Sequence, residues 1–287
     1  MKVTVLGSGQ WGTSIAQILC DAGNDVLIWG RNQAVVDEIN TSHRNNSSLP
    51  GIELPHNLRA TSDLDTAFNH AEMIALAVPA QSLRENLALW KPRFSSGVPI
   101  VSTLKGIEVS TQLRMTEVIH EVLGFGEDKL AILTGPNLAR EVVLRQPAGA
   151  VAASTSQELA DQTAKAFSAP YFRVYTSNDV IGCELAGAAK NVIALGVGMS
   201  IGMGFGENTQ ALVITRGLNE VTRLGMLVAL CPLLLLALLA LVICLRHVDH
   251  RYHAIAPSVK RWDAQDRWRK RELKCSRLLK ALPQRAR

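Results

Sequence analysis

Short runs of apolar and β-branched residues alternate with helical patterns over roughly the first 175 residues of this chain. Such alternation predicts a parallel sheet covered by helices on both faces, an α/β fold of the doubly wound, Rossmann-like type. The predicted strands are Lys2–Leu6, Asp25–Trp29, Met73–Val78, Ile100–Leu104, Leu130–Leu133 and Gly149–Ala153. Predicted helices are Thr13–Ala22 and Ala34–Ile39, and the polar segment Thr41–Pro55 predicts a loop.

A different pattern begins at Asn178, where helices rich in alanine and glycine follow one another up to Leu224. Residues 227–245 carry no charge, and residues 246–287 are basic and poorly patterned. We therefore expect one domain over 1–177 and the start of a second, α-helical domain over 178–226. We expect that residues 227–287 do not continue this second domain and leave it incomplete.

The net charge of +5 comes from the end of the chain. Residues 246–287 hold 13 Lys+Arg and 4 Asp+Glu, and removing those from the totals of 30 and 25 leaves 17 and 21. The main body is mildly acidic, so we expect no nucleic-acid partner. The five cysteines lack metal-ligand or disulfide spacing, so no metal site is predicted, and the N-terminus does not read as an export signal, which favours the cytoplasm.

A glycine-rich turn follows the first predicted strand and opens the first helix. Gly7, Gly9 and Gly12 occupy the glycine positions of G-x-G-x-x-G, which permit a tight turn, close approach of a pyrophosphate, and close packing of helix on strand. About 20 residues further on, Arg31 stands where an NAD-specific site presents a carboxylate. An arginine there accommodates a 2′-phosphate, which favours NADP over NAD, although a solvated surface arginine is the alternative.

Three further segments indicate a substrate site. Lys105 follows a predicted strand at its carboxyl end, the edge where open α/β sheets bind ligands. Gly135, Pro136 and Asn137 follow another strand, ahead of a predicted helix. Lys190 lies within a helix of small residues, where a charged group needs a partner or a purpose. The alternatives are a surface lysine at 105, a simple tight connection at 135–137, and a lysine at 190 that only extends its ammonium to solvent.

Lys190 is the candidate catalytic residue. A nicotinamide-dependent reductase acting on a ketone must supply a proton to the carbonyl oxygen as hydride arrives, and a partly buried lysine can do so. Two lysines and a helix N-terminus near Asn137 would also provide counter-charge for a phosphorylated substrate.

In order and spacing, the segments GSGQWGT, WGR, AVPAQ, STLKGIE, GPN and ELAGAAKNVIALGVGMSIGMGFGENT resemble those of bacterial NAD(P)-dependent glycerol-3-phosphate dehydrogenase, from residue 1 to about 225. The resemblance implies reversible reduction of dihydroxyacetone phosphate to sn-glycerol 3-phosphate for phospholipid synthesis, by a cytoplasmic enzyme that could be a homodimer. By position it implies that Lys190 is the proton donor and acceptor and that Lys105, Gly135 and Asn137 contact substrate. The implied cofactor contacts are Gln10, Trp11, Arg31, Lys105 and Ala139.

The end of the chain departs from that family, which uses a Gly-Leu-Gly-Asp and a Ser-Arg-Asn-Arg segment further on. Neither is present. One choice of synonymous codons for Leu235–Ile243, read from the third base, encodes Ala-Gly-Leu-Ala-Gly-Leu-Gly-Asp, and the same shift over Arg251–Ala256 encodes Leu-Ser-Arg-Asn-Arg. We hypothesise a single frame change shortly after Gly225. The chain as written would then expose an apolar run, and we expect aggregation or degradation and little activity.

Two other functions are compatible with parts of the sequence. Residues 227–245 are long and uncharged enough to span a membrane next to Arg246, which would make the chain a membrane-anchored or inactive nucleotide-binding remnant of the enzyme. A related dehydrogenase of the 6-phosphogluconate or hydroxyacid type is the second alternative, because those enzymes also carry a lysine on the helix after a Rossmann domain.

Overall fold

The computed structural model describes residues 1–95 and 97–228, which form one eight-stranded sheet with helices on both faces, followed by two long helices. The strands are β1 (Lys2–Leu6), β2 (Asp25–Trp29), β3 (Arg59–Thr61), β4 (Met73–Leu76), β5 (Ile100–Ser102), β6 (Leu130–Thr134), β7 (Ala148–Ser154) and β8 (Phe172–Ser177). The α-helices are α1 (Gln10–Asp21), α2 (Gln33–Ser42), α3 (Leu64–His70), α4 (Leu83–Trp90), α5 (Met115–Leu123), α6 (Ala139–Val143), α7 (Gln157–Phe167), α8 (Val180–Gly202) and α9 (Glu207–Val228).

The strand order is β3-β2-β1-β4-β5-β6-β7-β8. The chain runs outward from β1 to β3 and then returns to the other side of β1 at β4, so the direction of winding reverses between β1 and β4. Ligands of open α/β sheets bind at the carboxyl end of such a reversal. The α/β fold with a doubly wound sheet is confirmed.

One strand pair differs from the parallel sheet that the pattern predicted. β7 runs antiparallel to β6, while every other neighbouring pair is parallel. The connection between β6 and β7 contains only the five-residue helix α6, about 7.5 Å long, whereas β6 is about 16 Å long. This helix spans less than half the length of β6, and after it the chain returns antiparallel to β6 as β7.

Element boundaries also differ locally from the prediction. β3 and β8 were not predicted, because the three residues of β3 and the half-exposed residues of β8 do not form a buried apolar run. α1 begins three residues earlier than expected, and β4 and β5 end two residues earlier. The predicted loop over Thr41–Pro55 is correct except that α2 reaches Ser42.

Apolar packing divides by sheet face. One buried cluster joins the sheet to α1, α2, α6 and α7 and includes Ile15, Val36 and Phe167, and a second joins it to α3, α4 and α5 and includes Phe68, Leu87 and Ile119. Burial on both faces explains why the central strands read as continuous apolar runs. These two layers hold the carboxyl ends of the strands in a fixed arrangement.

Helices α8 and α9 pack on each other through Ile193, Val197 and Val221, and α8 also packs against β6. Val192 and Leu195 on α8 are 71% and 54% exposed. α8 is the one helix among residues 1–95 and 97–228 whose length and composition would suit a membrane span. The predicted apolar run over 227–245, its membrane-span alternative and the basic tail lie outside the described residues, apart from the last two residues of α9.

Candidate active site

The glycine-rich turn lies where β1, β4 and α1 approach too closely for a side chain. Gly7 has φ of 127°, and a Cβ there would lie 2.5 Å from the carbonyl oxygen of Ala77. A Cβ on Gly12 would lie 1.8 Å from the carbonyl oxygen of Gly7. The turn therefore sits at the reversal point between β1 and β4, and two of its glycines are required by backbone contact.

The same turn leaves open space for a ligand at the start of α1. A Cβ on Gly9 would meet nothing within 4 Å, and no side chain caps the first turn of this helix. The first N–H groups of a helix lack partners within the helix and favour an anion. The geometry at the start of α1 fits the pyrophosphate of a dinucleotide.

A buried asparagine that sequence reasoning missed holds this turn in place. Asn45 is fully buried, and its Nδ2 donates to the carbonyl oxygen of Ser8 and to Oγ1 of Thr13, both at 2.9 Å. It comes from the loop between α2 and β3. Nothing in a polar loop pattern distinguishes this asparagine from its neighbours, so only the fold identifies it.

Trp11 connects the turn to Lys105. Its Nε1 donates to Oγ1 of Thr103 at 3.1 Å, and the ammonium of Lys105 lies 5.1 Å from the centroid of its ring. That hydroxyl in turn donates to the carbonyl oxygen of Leu76 at the end of β4, at 2.7 Å. The cation and the aromatic face attract each other, so the candidate cofactor and substrate segments meet at the carboxyl edge of the sheet.

Lys190 reaches the loop after β6. Its Nζ donates to the carbonyl oxygen of Gly135 at 2.8 Å, and Asn137 Nδ2 donates to the carbonyl oxygen of Gly149 at 3.0 Å. A Cβ on Gly135 would lie 2.5 Å from that same Gly149 oxygen, so β7 packs directly on this residue. Three residues predicted to contact substrate are therefore neighbours, although 55 positions separate Lys190 from Gly135.

Gly187, one turn before Lys190 on α8, allows the side chain of Lys105 to lie beside that helix. A Cβ on Gly187 would lie 2.9 Å from Oγ1 of Thr134 and 3.8 Å from Cγ of Lys105. The missing side chain allows α8 to approach the end of β6. The stem of Lys105 thus passes beside the helix that carries Lys190.

A buried carboxylate anchors the first turns of α8. Glu184 accepts hydrogen bonds from Arg114 Nη1 at 2.7 Å, Thr116 N at 2.9 Å and Thr116 Oγ1 at 2.6 Å. Burial raises the pKa of Glu184, and the bonds from Thr116 and Arg114 oppose that rise. Sequence reasoning missed Glu184. The signal that identified Lys190, a charged residue within a helix of small residues, applies to Glu184 as well.

The remaining site residues lie around this centre. Ala139 begins α6, and its carbonyl oxygen accepts a bond from Oγ of Ser14 in α1 at 3.2 Å, so it lies beside the cofactor helix. Gln10 begins α1 and is exposed. Arg31 follows β2 at the carboxyl edge and is exposed to solvent.

Two family models match this chain. The model described as NAD-dependent glycerol-3-phosphate dehydrogenase N-terminus matches residues 2–160, and that enzyme's C-terminus model matches residues 179–241, which reaches into the uncharged run.

Curated relatives and solved structures carry the same name. A Corynebacterium diphtheriae protein named glycerol-3-phosphate dehydrogenase [NAD(P)+] is 51% identical over 232 residues, which are 81% of this chain and 70% of that protein. A Streptomyces coelicolor protein of the same name is 48% identical over 233 residues, which are 81% of this chain and 69% of that protein. The crystal structure of glycerol-3-phosphate dehydrogenase from Coxiella burnetii has a TM-score of 0.79 and 30% identity, covering 88% of this chain and 79% of that one.

Proposed function

Since this chain belongs to the NAD-dependent glycerol-3-phosphate dehydrogenase family, we propose that it interconverts dihydroxyacetone phosphate and sn-glycerol 3-phosphate with NAD(P)H, supplying glycerophospholipid synthesis. The supporting observation is the meeting of Lys105, Lys190 and the glycine-rich turn at one edge of the sheet. Dihydroxyacetone phosphate is a small anionic ketone, which needs a proton donor and counter-charge. Two lysines beside a dinucleotide turn provide both.

A dinucleotide held at the glycine-rich turn would supply hydride to the ketone carbon. Lys190 donates a proton to the carbonyl oxygen, and in the reverse direction it removes that proton from the hydroxyl. The amide of Asn137 and the ammonium of Lys105 hold the phosphorylated substrate. In the structure Lys190 Nζ donates to the carbonyl oxygen of Gly135, an acceptor that orients the ammonium before substrate arrives.

The glycine-rich turn and Arg31 support a dinucleotide cofactor. Gly7, Gly9, Gly12, Gln10 and Trp11 would hold the pyrophosphate side of NAD or NADP, with Ala139 beside them. Arg31 would face the ribose, and its positive charge favours the 2′-phosphate of NADP.

The enzyme would have two domains, act in the cytoplasm and form a dimer. Residues 1–177 would bind the dinucleotide and residues 178–226 would begin the substrate domain, in a cytoplasmic enzyme. We also propose a homodimer, to which exposed apolar side chains on α8 such as Val192 and Leu195 would contribute. In sedimentation velocity, the chain translated in the shifted frame after Gly225 should sediment as a dimer, and a monomer at all concentrations would contradict this proposal.

The frame change after about Gly225 remains our hypothesis for the end of the chain. Similarity to the curated relatives spans 224–233 residues of the 287. The chain as written should bind NADPH at the sheet edge but turn substrate over slowly, because the two family segments that bind glycerol phosphate and cofactor are absent from it.

The test is NADPH oxidation with dihydroxyacetone phosphate, measured for the chain as written and for a chain translated in the shifted frame after Gly225. We expect fast turnover only in the second, and a loss of about 10²–10⁴-fold in that background on Lys190→Met. Lys165→Met, at an exposed position of α7, is the matched control and should keep full activity. Full activity of the Lys190→Met variant would contradict the catalytic assignment, and full activity of the chain as written would contradict the frame change.

A further inference from the structure

The loop that carries Lys105 is held by two side chains from the segment after β4. Gln81 forms a reciprocal pair with the loop backbone, because its Nε2 donates to the carbonyl oxygen of Ile107 at 2.9 Å and its Oε1 accepts from the N–H of Val109 at 3.0 Å. These are the two backbone groups that an adjacent strand would satisfy. One glutamine thus fixes both the position and the direction of the chain two residues beyond Lys105.

Arg84 binds the side chain of Glu108, which lies between those two residues of the loop. Its Nε donates to both carboxylate oxygens of Glu108, at 3.0 and 3.1 Å, and its Nη2 donates to Oε2 at 2.9 Å. The Glu108 side chain is only 6% exposed, and Thr111 also donates to it. A second carboxylate, Glu121 of α5, accepts from Arg84 at 3.1 Å, which fixes the guanidinium from the other side.

The loop needs such restraint. Gly106 has φ of 138°, a conformation that glycine adopts without penalty and that leaves the backbone free to change direction directly after Lys105. Val109 is 79% exposed, so apolar burial does not hold this side of the loop. The polar contacts from Gln81 and Arg84 therefore hold the loop that follows Lys105 against the segment after β4.

We propose that Gln81 and Arg84 are positioning residues for Lys105, which hold its loop in the geometry that binds the phosphorylated substrate. This inference rests on the proposed function and deepens it. Neither side chain needs to touch substrate, since both act through the backbone and carboxylate of residues 107–109. The loop is thereby preorganised, and substrate binding does not have to order it.

The test takes the chain translated in the shifted frame after Gly225 as the parent, and compares it with its Gln81→Ala and Gln81→Glu variants and with Gln157→Ala as matched control. Gln157 is an exposed glutamine on α7 that donates to Asp161 at 2.8 Å, far along the chain from the site. Three quantities are measured: amide hydrogen exchange of residues 105–114, the dissociation constant for NADPH, and the dissociation constant for dihydroxyacetone phosphate in the presence of NADP+. The last complex cannot react, so turnover is not required.

For Gln81→Ala we expect faster exchange over 105–114, about fivefold weaker binding of dihydroxyacetone phosphate, and unchanged NADPH binding. Gln81→Glu keeps the acceptor for Val109 but loses the donor to Ile107. Its exchange rate and its dissociation constant for dihydroxyacetone phosphate should therefore lie between those of the parent and of Gln81→Ala. Gln157→Ala should match the parent chain. A general loss of stability would instead weaken both ligands together and accelerate exchange throughout the sheet.

The outcomes separate the two proposals. If the parent chain binds NADPH but not dihydroxyacetone phosphate, the proposed function is overturned, and this inference with it. If the parent binds both ligands and Gln81→Ala binds dihydroxyacetone phosphate equally well, only the positioning role is overturned. Equal weakening of both ligands by Gln81→Ala also overturns it.

Discussion

Replacing Gly187 by alanine should separate α8 from the end of β6. The new Cβ would lie 2.9 Å from Oγ1 of Thr134, about half an ångström closer than ordinary carbon–oxygen contact. Inserting a carbon into a packed contact costs about 1–3 kcal/mol, while alanine gains about 1 kcal/mol over glycine inside a helix. The free energy of unfolding should therefore change little, or fall by up to about 2 kcal/mol.

The larger effect should be on the site. α8 carries Lys190 one turn further on, and the stem of Lys105 lies 3.8 Å from the same added Cβ. A shift of a fraction of an ångström in these groups should weaken binding of dihydroxyacetone phosphate and lower kcat/KM by about 10–100-fold in the active background. We therefore expect Gly187→Ala to keep near-native stability and to lose most of its activity.

Urea unfolding and substrate titration measure the two effects separately. Gly196→Ala is the matched control on the same helix, because its Cβ would meet Val213 at an ordinary 3.7 Å, and it should gain about 0.5–1 kcal/mol with no functional change. Adding Thr134→Ala to Gly187→Ala removes the opposing hydroxyl and should restore substrate binding, as a double-mutant cycle would show. The reasoning is refuted if Gly187→Ala behaves like Gly196→Ala.

Three further predictions concern the groups around this centre. Burial raises the pKa of Glu184 above its ordinary 4.5, so the folded protein holds a proton that the unfolded chain releases; the stability from this group is complete below the ordinary pKa and is lost as pH rises through the raised value. Glu184→Gln should remove the fall in the urea midpoint that this group causes as pH rises above 4.5, and an unchanged fall would exclude Glu184 as its source. Asn45→Ala should lower the free energy of unfolding by about 1–3 kcal/mol and weaken NADPH binding, whereas Asn57→Ala, at an exposed position of the same loop, should do neither. Arg31→Asp should reduce the preference for NADPH over NADH by about tenfold, and equal titration curves for parent and variant would show that Arg31 does not read the 2′-phosphate.

Much of this fold was predictable from local pattern. The β1 strand, the glycine-rich turn and α1 are consecutive, and each has a periodicity or a glycine requirement that depends on near neighbours. The same holds for Lys105, whose place at the carboxyl edge follows from the end of a buried strand. These features were predictable because the forces that produce them act over a few residues.

Other parts of the structure depend on long-range partners. The pattern predicted a strand at β7 but not its antiparallel pairing with β6. The short strand β3 was missed because three residues pair with β2 without forming a periodic run of their own. Pairing direction and edge strands are set by the connections in space, which periodicity does not encode.

The candidate site shows the same division. From the sequence alone, Lys105 and Gly135 could be placed at strand ends and Lys190 on a small-residue helix, because burial and period place them there. The hydrogen bond from Lys190 to Gly135 and the contact of Asn45 with the glycine-rich turn emerge only in the folded chain. Apolar periodicity specifies which face of an element is buried, whereas the partner that meets that face is chosen by packing among segments tens of residues apart.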